Sequence, residues 1–110
     1  MISDQDVPVF FEEITNIGQQ NRIQPGITTN ERTVDPADAS PDDLRLLGLG
    51  IRGYMVMTIT FRGEYPDAAR FMSNVSRLPR AVEIRKVTMR RSPPLVDVTM
   101  TMHVYKREGA

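Results

Sequence analysis

The chain has 110 residues, enough for one domain spanning residues 1–110 with a single modest core, and its 14 Lys plus Arg balance 14 Asp plus Glu. That neutrality argues against a nucleic-acid binder, because neutralising phosphates supplies most of such a protein's affinity. With no cysteine and one histidine, disulfides, thiolate metal sites and His-based metal clusters are excluded. No apolar run approaches the roughly 18 residues that span a bilayer, and the start MISDQDVPVF lacks the basic-then-apolar order of a signal peptide.

The first element reads as a helix. Asp4 or Asp6 can cap it, Pro8 sits in its first turn where a missing N–H costs nothing, and Phe10, Phe11, Ile14 and Ile17 form one apolar face. Gly18 and the run QQNR mark its end. A weak extended segment from Ile27 to Val34, rich in Thr, suits an edge strand. The acidic stretch DPADASPDDLRLLGLG follows, read either as a loop or as a short helical turn, with Leu44, Leu46, Leu47 and Leu49 able to dock on the body.

Residues 51–62 alternate strictly. Ile51, Met55, Met57, Ile59 and Phe61 fall on one face, and Arg52, Tyr54, Val56, Thr58, Thr60 and Arg62 on the other. Gly63-Glu64-Tyr65-Pro66 turns the chain into a second helix with Ala68, Phe71, Met72, Val75 and Leu78 on one stripe, stopped by Pro79. A third strand begins at Val82 and Ile84 and continues through Val87 and Met89. Its apolar parity switches between Ile84 and Val87, which requires a bulge near Arg85-Lys86 and suits an exposed edge. After the turn Ser92-Pro93-Pro94, the last strand places Val96, Val98, Met100, Met102 and Val104 inward, and Asp97, Thr99, Thr101, His103 and Tyr105 outward.

Helix-strand-strand occurs twice. The expected fold is therefore α+β: a two-layer sandwich built from a duplicated αββ unit, with two helices on one face of a four-stranded antiparallel sheet. This is a circularly permuted ferredoxin-like order, in which the second and fourth strands are central and the first and third are edges.

Arg52-Gly53-Tyr54 matches the opening of the RNA-recognition signature RNP1. Met55 and Val56 then stand where that signature needs a small residue and a second aromatic, and the open face is a threonine ladder. The stretch reads as the start of a strand, not as an RNA site. Catalytic groups are equally scarce. His103 falls among threonines on the solvent face, the neighbours Glu12-Glu13 and Asp42-Asp43 diverge, and no glycine-rich phosphate loop exists. Met55, Met57, Met72, Met89, Met100 and Met102 all fall on expected core positions, where Met fills gaps. No enzyme activity, cofactor or metal is expected. The basic run Arg77, Arg80, Arg85, Lys86, Arg90 and Arg91 complements the acidic stretch Asp35 to Asp43 in charge, as surfaces of protein partners do. The bulged edge carrying Arg85, Lys86, Arg90 and Arg91 is the first candidate for partner binding, and the Tyr54/Tyr105 face the second.

The segment FRGEYPDAARFMSNVSRLPRAVEIRKVTM and the strand VTMTMHVYK resemble the C-terminal domain of the PilO family, inner-membrane assembly proteins of type IV pili. The resemblance is carried by the turn Gly63-Glu64-Tyr65, by a helix of the form xxFxxxVSxLPR matched at Phe71, Val75, Ser76, Leu78, Pro79 and Arg80, and by the entry helix VPVFFEEITNIGQQNRI. The stretch from Asp35 to Gly50 departs from the family pattern. The resemblance implies the periplasmic domain of a bacterial inner-membrane protein, its transmembrane helix and coiled coil lying upstream of this chain and supplying its only link to the membrane. It further implies a non-enzymatic scaffold that pairs with a PilN-like protein, self-associates as a homodimer, engages a PilP-like lipoprotein, and so links the inner-membrane platform to the secretin in twitching motility. The alternatives are a related GspM-like scaffold of type II secretion, or a ferredoxin-like module binding a small ligand or RNA.

Overall fold

The structure, a computed structural model, describes residues 4–78 and 82–106. The expected helix stop at Pro79 and one member of the basic run, Arg80, lie outside the described residues. After a 3₁₀ turn at Asp4–Asp6, helix α1 (Val7–Gln20) leads into strand β1 (Gly26–Thr33). A second 3₁₀ turn (Pro36–Asp38) and helix α2 (Pro41–Gly48) precede strand β2 (Gly53–Gly63). Helix α3 (Tyr65–Ser76), strand β3 (Val82–Ser92) and strand β4 (Leu95–Tyr105) complete the chain.

Helix α1 starts with Pro8 in its first turn and buries Phe10 and Ile14. It ends at Gln20, inside the expected run, with Gly18 in its last turn. That residue is buried in the helix, and a Cβ there would stand 2.7 Å from the Ile23 carbonyl oxygen and 2.8 Å from Pro25 Cδ. The chain doubles back at this point, with the Ile23 N–H donating to the Gly18 carbonyl at 2.7 Å. Gly18 serves the close approach of backbone, and its carbonyl also takes part in closing the helix, accepting from the Asn21 and Ile23 N–H groups.

The sheet order is β1-β2-β4-β3, with all neighbours antiparallel. The two strands with the cleanest alternation are therefore central, and β1 and β3 are edges, as the permuted order requires. The core joins Phe10 and Ile14 of α1 and Ala68, Phe71 and Val75 of α3 to Met55, Met57, Ile59 and Phe61 of β2 and Val98, Met100, Met102 and Val104 of β4. Phe61 meets Phe71 edge to face, ring centroids 4.7 Å apart. Side chains of β3 enter this core only through half-buried Val82, and those of β1 only through Ile27. The α1/α3 layer thus covers the two middle strands and leaves the edges bare.

Two expectations need correction. Met89 is not a core residue: it is 39% exposed, alongside Ile84 at 38% and Val87 at 45%. Alternation placed it on the correct face, but no helix lies over that part of the face. The opposite face is not fully open either. Helix α2 puts Leu46 against Val34, Ile51 and Tyr105, with Tyr54 at the margin, and so covers one corner of the polar face. The acidic stretch forms a true helix because Ser40 and Asp43 make a reciprocal capping box and Pro41 follows the cap.

Candidate interaction surface

The edge strand β3 is the most exposed long strand carrying both charge and apolar side chains. Its register against β4 defines its two sides. Ile84 faces Met102, Val87 faces Met100 and Met89 faces Val98, placing these three on the helix-bearing side. Glu83 faces His103, Lys86 faces Thr101, Thr88 faces Thr99 and Arg90 faces Asp97 on the polar side. The pairing jumps from Ile84 to Lys86, so Arg85 is the extra residue of a bulge where the sequence required one. Among the described residues, the side of β3 away from β4 has no neighbouring strand. A row of backbone donors and acceptors therefore faces outward along 11 residues.

Arg85 is folded back from this edge. It donates to Glu83 at 2.6 Å and to Asp42 of α2 at 3.3 Å. Arg45 of α2 approaches Glu83 at 3.7 Å, and the Tyr105 hydroxyl donates to the same carboxylate at 2.6 Å. Hydrogen bonds from Tyr105 and then Arg85 hold the Glu83 carboxyl below the usual carboxylate range. Lys86, Arg90 and Arg91 remain on exposed strand positions. At the polar end, Arg62 rather than Arg90 grips Asp97, through contacts of 2.6 and 3.2 Å.

The second sequence candidate has a different character. Tyr105 is only 8% exposed, held under α2. Tyr54 stacks on His103 with centroids 4.7 Å apart and meets Tyr105 edge-on at 6.1 Å. Burial pushes His103 below its usual pKa, and the Arg85 cation adds to this. A cleft of about 130 Å³ between α2 and the sheet is lined by Asp42, Arg45, Arg85 and these three rings. The tyrosines thus serve as the seat of α2. They offer no free stacking platform for bases.

The apolar stripe Ile84–Val87–Met89 went unrecognised in the sequence as a surface. It was legible only as core-facing parity, and the missing information was how far the helices reach. The stripe runs into a larger depression of about 500 Å³ lined by Tyr65, Met89, Arg91, Pro93, Pro94 and Leu95. Among the described residues no three His, Asp or Glu side chains converge as a metal site.

Two solved structures share this architecture. The type 4 fimbrial biogenesis protein PilO from Pseudomonas aeruginosa superposes with a TM-score of 0.71 and 23% identity, over 96% of this chain and 72% of that one. The core region of PilO from the type IV pilus system of the same organism gives 0.64 and 20% identity, over 91% of this chain and 93% of that one. The chain has the PilO fold. At these identities the likeness is one of architecture, and no family model and no curated protein matches the sequence. The PilO fold accounts for the α+β arrangement expected from the duplicated αββ pattern.

Proposed function

We propose that this chain is the periplasmic domain of a PilO-family scaffold in a type IV pilus assembly machine, without enzymatic activity. The observation that carries this reading is agreement between two independent lines. The PilO fold extends over 96% of the chain, and the family's FxxxVSxLPR pattern reads from Phe71 to Arg80 in the sequence, with Phe71, Val75 and Ser76 on α3. The scaffold pairs with a PilN-like protein and engages a PilP-like lipoprotein, joining the inner-membrane platform to the secretin. Neither nucleic acid nor cofactor takes part. The physical surface for pairing is β3, whose open backbone edge, apolar stripe and exposed cations Lys86, Arg90 and Arg91 offer an incoming strand hydrogen bonds, burial and charge selection together, with Arg85 held behind them on Glu83 and Asp42.

Sedimentation equilibrium of this domain, alone and mixed with the PilN-like periplasmic domain of the same bacterium, tests the reading. A heterodimer forming at the expense of self-association is the expected result. Reversing charge at Arg85 and Arg90 together should weaken it by at least about tenfold, or about 1.4 kcal/mol. Two proteins that sediment independently, with their coiled coils restored as well as without them, would overturn the proposal.

A further inference from the structure

Strand β3 reads as its own partner. We propose that it pairs antiparallel with β3 of a second copy of this chain, the two-fold axis passing at Val87, so that two four-stranded sheets become one of eight strands. The inference rests on β3 being the docking edge, and it commits that edge to a register.

The register follows from the bulge. Counting from Val87 toward the C-terminal end of the strand gives Thr88, Met89, Arg90 and Arg91. Counting the other way, with Arg85 set aside as the extra residue, gives Lys86, Ile84, Glu83 and Val82. An antiparallel two-fold at Val87 therefore sets Val87 against its own copy, Lys86 against Thr88, Ile84 against Met89, and Glu83 against Arg90. The first and third of these pairs lie on the helix-bearing side, and the other two on the polar side. In the two helix-side pairs nearest the axis apolar residues meet apolar residues, and at Glu83–Arg90 an anion meets a cation, arrangements that stabilise antiparallel pairs; only the outermost pair, Val82 with Arg91, lacks such a match. Without the bulge the same count would set Ile84 against Arg90. The parity break is what makes the strand self-complementary.

Two further observations favour this occupant. The side chains to be covered are the three half-exposed ones, Ile84, Val87 and Met89, and the symmetric register brings both sets together. Arg85, which could block an approaching strand, is drawn back onto Glu83 and Asp42. The other edge offers no equivalent. Strand β1 reads GITTNERT, and on its helix-bearing side Ile27 is followed by Thr29 and Glu31, so a self-paired β1 would bring polar and acidic side chains together.

The chain contains no cysteine, so a single introduced thiol reports cleanly. Directly opposed residues of an antiparallel pair have Cα atoms about 4.5–5.5 Å apart, within the span of a disulfide. Under mild oxidation Val87→Cys should cross-link to itself at least about ten times faster than Thr29→Cys on the opposite edge. Ile84→Cys mixed with Met89→Cys should cross-link heterotypically, and each alone at least about ten times more slowly. Separately, Arg90→Glu should weaken self-association at least about tenfold by sedimentation with the circular dichroism spectrum unchanged. A Val87→Cys rate no higher than that of Thr29→Cys, or homotypic Ile84→Cys cross-linking as fast as the mixture, would overturn the register. The functional proposal fails separately: binding of the PilN-like domain can be lost while Val87→Cys still cross-links, or persist when it does not.

Discussion

Glu83 gathers more partners than any other charged side chain near the β3 edge. It accepts from the Tyr105 hydroxyl and from Arg85, and lies near Arg45. Burial, and then the bond to Glu83, push the Tyr105 phenol up to about 12. A group whose pKa rises on folding stabilises the fold below its unfolded value, so this contribution is complete below about pH 10 and disappears as pH rises through about 12. Glu83 and His103 shift the other way, both downward. Their contributions are present above their unfolded values and are lost as pH falls through the folded ones. The urea midpoint is therefore expected to be flat between about pH 7 and 10 and to fall on either side. Tyr105→Phe should cost about 1 kcal/mol at pH 8 and flatten the alkaline fall. Replacing His103 by Gln should remove part of the fall between about pH 7 and 5. Urea titrations of the three proteins across this range check both expectations. An alkaline limb identical in Tyr105→Phe would show that the bond to Glu83 contributes nothing.

Helix α2 explains why one element was only half legible. Its start is written plainly: Ser40, Pro41 and two aspartates form the pattern of a capped first turn, and Asp43 N–H donates to Ser40 Oγ at 3.2 Å. Eight residues cannot hold a helix alone, however, so local chemistry could not decide between loop and helix. The decision comes from Leu46, 4% exposed among Val34, Ile51 and Tyr105, while Leu44 and Leu49 point away at 59% and 62%. Which of four leucines would dock depended on where the tyrosine pair lay, a contact between distant parts of the chain. Leu46→Ala should cost about 2 kcal/mol, the low end for a buried leucine because the site is shallow, and Ser40→Ala about 1 kcal/mol. Amide exchange distinguishes docking from general weakening. In Leu46→Ala the amides of 44–48 should lose protection while those of α1 and α3 keep theirs. Equal loss in all three helices would mean that α2 belongs to the main folding unit.

At the scale of the molecule, the sequence was informative about parity and strand order and silent about coverage. Period-two alternation in β2 and β4 and the parity break at Arg85 were sufficient to assign central and edge strands, because each reflects purely local geometry. Coverage is set by the width of two helices against the width of four strands. A helix with its side chains is about 10 Å across and strands are about 4.8 Å apart, so two helices over the middle strands leave the outer ones thinly covered. Met102 and Met89 show the consequence. Both lie on the helix-bearing side of adjacent strands, yet Met102 is fully buried and Met89 is 39% exposed. Met102→Ala removes contacts on every side and should cost about 3 kcal/mol, a large share of the stability of a domain this size. Met89→Ala gives up little in the monomer, within about 0.5 kcal/mol, but removes an apolar partner of Ile84 across the proposed two-fold and should weaken self-association about tenfold. Urea unfolding at low concentration and sedimentation at high concentration separate the two effects. The reverse outcome, with Met89→Ala unfolding the monomer and leaving association intact, would mean that the β3 stripe belongs to the core after all.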